Sequence, residues 1–324
     1  MFILRFFILN CLLIFSLQLS FAQTYPNKAI RLIVPYPPGG SVDLVGRTVA
    51  RKMTEFLGQA VVIDNKGGAG ARLGVELASK SPPDGYTLVI ATVTSMSMAV
   101  NMFPKLPYDP VKSFAPISLL TKAPGLITVN DSVQVKNLKE FIDLLKMKPG
   151  QINYSSLGSG SIQHFTGEFF QSMTGTQMLH VPYQGAGPEL LAILGNQVQV
   201  GFEVLSSFQL QNYQNGKLKA LAVASKERIA SLPNVPTSAE AGLPGFEFSS
   251  WFSLMAPSGT PTQIIKRLNE ETRKALMDRE VLDVIALQGQ EASANSPEEM
   301  ASFLESDIAK WSRVMKSTNF KIEQ

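Results

Sequence analysis

Residues 31–50 read RLIVPYPPGGSVDLVGRTVA. Leu32, Ile33 and Val34 form a short apolar run that ends against prolines, and Pro37, Pro38, Gly39 and Gly40 follow. From Val42 the apolar residues recur at Val45, Val49, Met53 and Phe56, the spacing of one helix face, and Gly58 supplies a stop. The stretch therefore reads as a strand that turns through glycines straight into a helix. Such a junction leaves backbone N–H groups free at the helix start and gives them a partial positive charge, the ingredients of an anion site.

The same pattern recurs along the chain. AVVIDN (60–65) reads as a second strand, followed by KGGAGARLG and a helix through Leu77 and Ala78. SPPDGYTLVIAT (81–92) is a turn and a strand. QINYSS (151–156) is a strand, LGSGS (157–161) a loop, and IQHFTGEFFQSMTG (162–175) a helix with Ile162, Phe165, Phe169 and Met173 on one face. LKEFIDLLKMKPG reads as an amphipathic helix, GPELLAILG as a short helix, QVQVGFEVL and LKALAVAS as strands, and two long helices close the chain. Alternating strands and helices predict an α/β fold with largely parallel sheets. The length exceeds the usual reach of one core, which favours two α/β lobes.

The first 22 residues carry one positive charge, Arg5, then an apolar run, and end in Ser20-Phe21-Ala22. That is the pattern of an export signal; a single membrane anchor is the alternative, and Asn10 and Gln18 interrupt its apolar run. The only cysteine, Cys11, lies in this segment, so the mature chain would have neither disulfides nor a thiol nucleophile. A net charge of +3 gives no electrostatic footprint for nucleic acid.

Nucleotide and catalytic motifs fail in turn. No G-x-x-x-x-G-K-[ST] occurs, and GSGSIQ places Gln163 where a dinucleotide loop needs a third glycine. The two histidines, His164 and His180, stand in no H-E-x-x-H frame, and no G-x-S-x-G elbow is present. No metal and no cofactor is expected. Glycine-rich junctions at Pro37–Ser41, Gly67–Gly70 and Gly158–Ser161 remain, and they suit a carboxylate or phosphate. Asp43 falls in the first helical turn, where it suits the helix dipole but competes with an anion. A ligand ammonium or a hydrogen bond that fixes the loop reconciles the two. Ser95 lies beyond its strand, at cleft level. His180 reads as structural, and Trp251 and Trp311 as core or hinge residues.

Nine stretches in order carry a resemblance: YPNKAIRLIVPYPPGGSVD, LGQAVVIDNKGGAG, SPPDGYTL, LPYDPVKSFAPIS, INYSSLGSGSIQHFTGEFF, HVPYQGAGPELLAILGNQVQVGFE, GKLKALAVAS, LPNVPTSAEAGLPGFE and APSGTP. They span nearly all of residues 25–262, and the chain resembles the Bug receptors, the periplasmic solute-binding proteins of tripartite tricarboxylate transporters. The resemblance implies a two-lobe flytrap that is not an enzyme, with residues 23–122 and 225–324 in one lobe and 123–224 in the other. It implies a periplasmic monomer that delivers a small organic carboxylate to membrane permease subunits. A signalling receptor is the alternative, and a secreted hydrolase built on His164 or His180 a more distant one. The resemblance also implies that the carboxylate is held by backbone amides and waters from two loops. With the residue-level reading, the candidate ligand-binding residues are Pro38, Gly39, Gly40, Ser41, Asp43, Ser95, Ser156, Gly158, Ser159, Gly160, Ser161, His164 and Glu203. Two departures from the family pattern stand out. Arg72 follows Asn65-Lys66-Gly67-Gly68-Ala69-Gly70-Ala71, as a second-carboxylate partner or a solvated side chain, and Glu203 stands where the family often has Asp.

Overall fold

The computed structural model describes residues 25–103, 105–183 and 186–318. Residues 1–24, where the export signal is expected, lie outside the described residues, with Arg5 and Cys11 among them. The strands are β1 (Ile30–Val34), β2 (Val61–Asn65), β3 (Thr87–Thr92), β4 (Phe114–Asn130), β5 (Asn153–Ser156), β6 (Leu179–Pro182), β7 (Val200–Val204), β8 (Leu218–Val223), β9 (Ser249–Pro257) and β10 (Glu291–Ala292). The helices are α1 (Ser41–Leu57), α2 (Arg72–Ser79), α3 (Ala99–Met102), α4 (Leu138–Met147), α5 (Ile162–Thr174), α6 (Ala186–Leu194), α7 (Ser207–Gln214), α8 (Thr262–Met277), α9 (Arg279–Leu287) and α10 (Pro297–Thr318). One turn of π-helix, Thr94–Met98, precedes α3.

The path of the sheet runs β2-β1-β3-β9-β4-β7-β5-β6, with β8 and β10 also paired to β4. Among the described strands, parallel pairs join β1 with β2 and β3, and β5 with β6 and β7. All pairs made by β4 and β9 are antiparallel, so the sheet is mixed and not largely parallel as the element pattern suggested. The reason is β4, 17 residues long and buried on both faces over most of its length. A strand covered on both sides shows no alternation of polar and apolar residues, so periodicity does not report it.

β4 joins the two halves. Its residues up to Pro124 pair with β9, and from Gly125 onward they pair with β7 and β8. Gly125 is required at the change of partner. A Cβ there would lie 2.3 Å from the Phe248 ring. The register fixes the direction of every other strand. β4 runs toward the second half, and β1 and β3 run the same way because β9 between them is antiparallel to both β3 and β4. β7 is antiparallel to β4, and β5 and β6 follow β7. The carboxyl ends of β1, β2 and β3 therefore point at the second half, and those of β5, β6 and β7 point back at the first. In open α/β sheets ligands bind beyond the carboxyl ends of strands; here both sets of ends meet at the level of Pro124 and Gly125.

Core packing follows this division. Val42, Val45, Val49 and Met53 of α1 are buried with Leu32, Ile90 and Leu254 under α8 and α9. A second cluster crosses the junction, running from Ile33 and Val89 to Tyr154, Phe165 and Phe202, with Trp251 and Trp311 inside it. Trp251 Nε1 donates to Asp307 of α10 at 2.9 Å, and Trp311 of the same helix meets Phe165 of α5 edge-on at 5.3 Å. The closing helix thus ties the two halves together.

Candidate functional site

Two glycine arches stand at the junction, one after β1 and one after β5. In the first, Gly39 has φ +88°, a conformation open to glycine, and Gly40 caps α1 without any side-chain hydrogen bond. Asp43 is 1% exposed. Its Oδ2 accepts the Gly39 N–H at 2.8 Å and Arg47 Nε at 2.9 Å, and its Oδ1 accepts Asn65 Nδ2 at 2.9 Å. Burial pushes this carboxyl up, but the donors from Arg47, Gly39 and Asn65 outweigh it and hold it below the ordinary carboxylate range. Asn65 Nδ2 also donates to the Tyr36 carbonyl at 3.0 Å. Asp43 is thus the brace of the arch, the loop-fixing alternative raised by the sequence.

Ser41 opens α1, and its Oγ accepts from Gln290 Nε2 at 2.7 Å. Gln290 carried no local signal, since it lies 249 positions away. The N–H groups of Ser41, Val42 and Asp43 have no intrahelical acceptor, as in any helix start. A Cβ on Gly40 would find nothing of the protein closer than the Pro37 carbonyl at 4.0 Å. Pro38, Gly39 and Gly40 are all exposed.

The second arch is built from neutral groups. Gly158 has φ +114° and Gly160 φ +81°. Ser161 caps α5, its side chain accepting from the His164 N–H at 3.3 Å, and Ser159 is exposed. Gly160 N–H donates to His164 Nδ1 at 3.2 Å, and Gly158 N–H donates to Ser156 Oγ at 3.1 Å. Ser156 Oγ and His180 Nε2 are hydrogen-bonded at 2.7 Å. The two imidazoles lie face to face, 3.7 Å apart and tilted by 3°. Burial lowers both pKa values to about 4, and for His180 the proximity of His164 lowers it further while Glu168 opposes. Both rings are neutral at pH 7. The α5 N–H groups of Ile162 and Gln163 have no intrahelical acceptor.

The other candidates sit at cleft level but turn inward. Ser95 is fully buried; its Oγ accepts the Thr92 N–H at 3.1 Å, and its carbonyl accepts the Tyr108 hydroxyl at 2.6 Å. Glu203 is 4% exposed, and its Oε2 accepts from Gln209 Nε2 at 3.1 Å. It faces Glu189, buried in the first turn of α6, and burial pushes both carboxyls up. Glu189 was not singled out in the sequence, where it reads as an ordinary helix-start acid. Arg72 Nε donates to the Ala69 carbonyl at 2.7 Å, and its guanidinium lies 3.5 Å from the Phe103 ring centre. It is a brace of the third glycine junction. His180, expected to be structural, is wired into the second arch.

The arrangement can hold an anion between two helix starts. Ser156 and His180 have the separation of a nucleophile and its base, but Ser156 is fully buried and its hydroxyl is also engaged with Gly158. Among the described residues no group of three or more His, Cys, Asp or Glu is placed to hold a metal. No helix among them is long and apolar enough to cross a membrane.

Residues 45–320 match the tripartite tricarboxylate transporter family receptor. The chain belongs to this family, the Bug receptors. Protein BugT of Bordetella pertussis is 35% identical to the receptor over 303 residues, 93% of each chain. The structure of Rpa4515 from R. palustris with adipate superposes with a TM-score of 0.83 at 32% identity, covering 91% of the receptor and 98% of that chain. MatC from Rhodopseudomonas palustris with bound malate gives a TM-score of 0.80 at 32% identity, covering 90% and 99%. The receptor therefore has the two-lobe fold of solute-binding proteins, a family of receptors and not of enzymes.

Proposed function

We propose that this receptor binds a small organic carboxylate at the junction of its lobes, in the periplasm, and hands it as a monomer to the membrane subunits of a tripartite transporter. The observation that carries this reading is the convergence of strand ends, which sets the α1 start and the α5 start on opposite sides of one junction. The free N–H groups of each start complement a carboxylate without ordering a long cationic side chain. The adipate and malate in the two structural relatives are both dicarboxylates, which is the ligand class favoured here. Within the site, Pro38, Gly40, Ser41, Ser159 and Ser161 form the ligand-facing surface, Asp43, Ser156 and His164 support it from behind, and Ser95 and Glu203 bond inside the protein. The lobe division expected from the sequence, 23–122 with 225–324 against 123–224, is revised in this reading: the segment from 225 to Phe248 goes with the second lobe, since Ile229, Leu232 and Val235 pack with Leu126, Leu205 and Val223.

Native mass spectrometry of the purified receptor, followed by calorimetric titration with adipate, malate and a panel of other mono-, di- and tricarboxylates, tests the proposal. The expected result is a one-to-one complex with at least one acid, and a higher Tm at saturating ligand. Absence of binding across the panel overturns the reading.

A further inference from the structure

His164 and His180 are the only histidines of the chain, 16 positions apart in sequence, yet the fold stacks them directly behind the second arch. Each ring is tied to one glycine of that arch, His164 through Nδ1 to the Gly160 N–H and His180 through Ser156 to the Gly158 N–H. Tyr154 of β5 stacks on the outer face of His180 at 5.0 Å, and its hydroxyl donates to Glu168 of α5 at 2.6 Å. We propose that the stacked pair is the positioning element of the second arch. As neutral rings the two histidines hold Gly158–Gly160 in the shape that receives a carboxylate, and protonation of His164 dismantles that shape. The proposal rests on the carboxylate reading above.

The chemistry follows from the donor inventory of imidazole. A neutral ring has one nitrogen that accepts, and Nδ1 of His164 is that nitrogen because Gly160 donates to it. A protonated ring has two donors and no acceptor. His164 in that state would point an N–H at the N–H of Gly160, and the arch would have to open. The second ring, 3.7 Å away, adds charge repulsion to any double protonation. Tyr154 and Glu168 are titratable groups against this face of the sheet among the described residues, and Glu168 favours a charged His180. Glu189 and Glu203 belong to the opposite face, which they share with Ser155 and Gly201. The folded state lowers both histidine pKa values from 6.5 to about 4. The stability they contribute is therefore complete above pH 6.5 and is lost as the pH falls toward 4.

The test uses the mature, ligand-free receptor labelled with nitrogen-15, and two variants. The Gly160 amide resonance should move with the same midpoint as the His164 ring. In His164→Asn, whose side-chain oxygen accepts a hydrogen bond but takes no proton, that step should vanish. In titrations with adipate and malate at pH 7, His164→Asn should keep binding that His164→Leu loses, because its oxygen still accepts the Gly160 N–H. The wild type should weaken relative to His164→Asn by about tenfold for one pH unit below the midpoint. Measuring against this variant cancels protonation of the acid itself. His164→Leu, which offers no acceptor, should weaken binding at least about tenfold at pH 7. The proposal is overturned if the Gly160 resonance ignores the His164 titration, or if His164→Leu binds like the wild type. If Gly160 follows His164 while no acid in the panel binds, the positioning role stands and the carboxylate reading is what fails.

Discussion

The two arches reach the same end by opposite electrostatics. The first is braced by a buried charge, Asp43, neutralised by Arg47 and by donors from Gly39 and Asn65. The second is braced by neutral rings and a hydroxyl, and the first turn of α5 holds no acid. The dipole of α1 is thus partly met from within by the charge of Asp43, whereas at the α5 start only the neutral Ser161 hydroxyl meets it. The lesson is that a glycine arch needs something behind it, and that the charge of this support sets how strongly the arch attracts an anion. The second arch should be the stronger anion holder of the two.

The largest effect should come from Gly40→Val. Gly40 has an ordinary φ of −78° and open space around its missing Cβ, so the protein itself tolerates a side chain there. A ligand approaching the α1 start does not, and affinity should fall about 100-fold, equivalent to about 2.7 kcal/mol. Calorimetry and a thermal melt measured together check this, because an unchanged Tm with lost binding isolates the ligand side. The same change at Gly160 lacks this clarity, since its φ of +81° makes any side chain strain the fold.

Asp43→Ala should cost about 1–2 kcal/mol of stability, because it leaves the Gly39 N–H and Asn65 Nδ2 without their acceptor. Urea unfolding reads that value. Loss confined to stability, with affinity for a carboxylate intact, would show that the first arch does not depend on its brace and would break the comparison with the second.

A smaller, pH-dependent effect belongs to the carboxyl pair inside the second lobe, Glu189 of α6 and Glu203 of β7. Burial raises Glu189 and Glu203, so the folded state favours their protonated forms. Stability from that preference is full below the ordinary value of 4.5 and is lost as the pH rises through the raised values. Tm should fall between pH 5 and pH 9, and Glu189→Gln should flatten that slope. A variant with the same slope as the wild type would remove the pair from the account.

The smallest effect is expected for Arg72→Ala. Its contact with Phe103 is worth about 0.5–1 kcal/mol, and carboxylate affinity should stay within about twofold. A larger loss of affinity would make Arg72 a third ligand contact and the third junction a true partner of the other two.

Much of this is legible in the sequence. The α1 face of Val42, Val45, Val49 and Met53 and the stop at Gly58 follow from periodicity and from the φ of +69° that only glycine adopts freely. The glycine junctions and serine-bearing helix starts are local features, so the anion-site reading needed nothing from the rest of the chain. β4 and β9 were hidden, because full burial erases alternation. The roles of the side chains were also hidden. Asp43, Ser95 and Glu203 have the chemistry of contact residues, and only packing turns them inward.

What the sequence determined by itself is therefore the two arches, since glycine conformation and helix starts depend on neighbours within a few residues. The tertiary structure decided that the arches oppose each other, because that depends on the direction of β4 and on the register of strands far apart in the chain. It also decided what stands behind each arch. Gln290 reaches Ser41, and His180 reaches both His164 and Ser156, through contacts that only the folded sheet brings within hydrogen-bond or stacking distance.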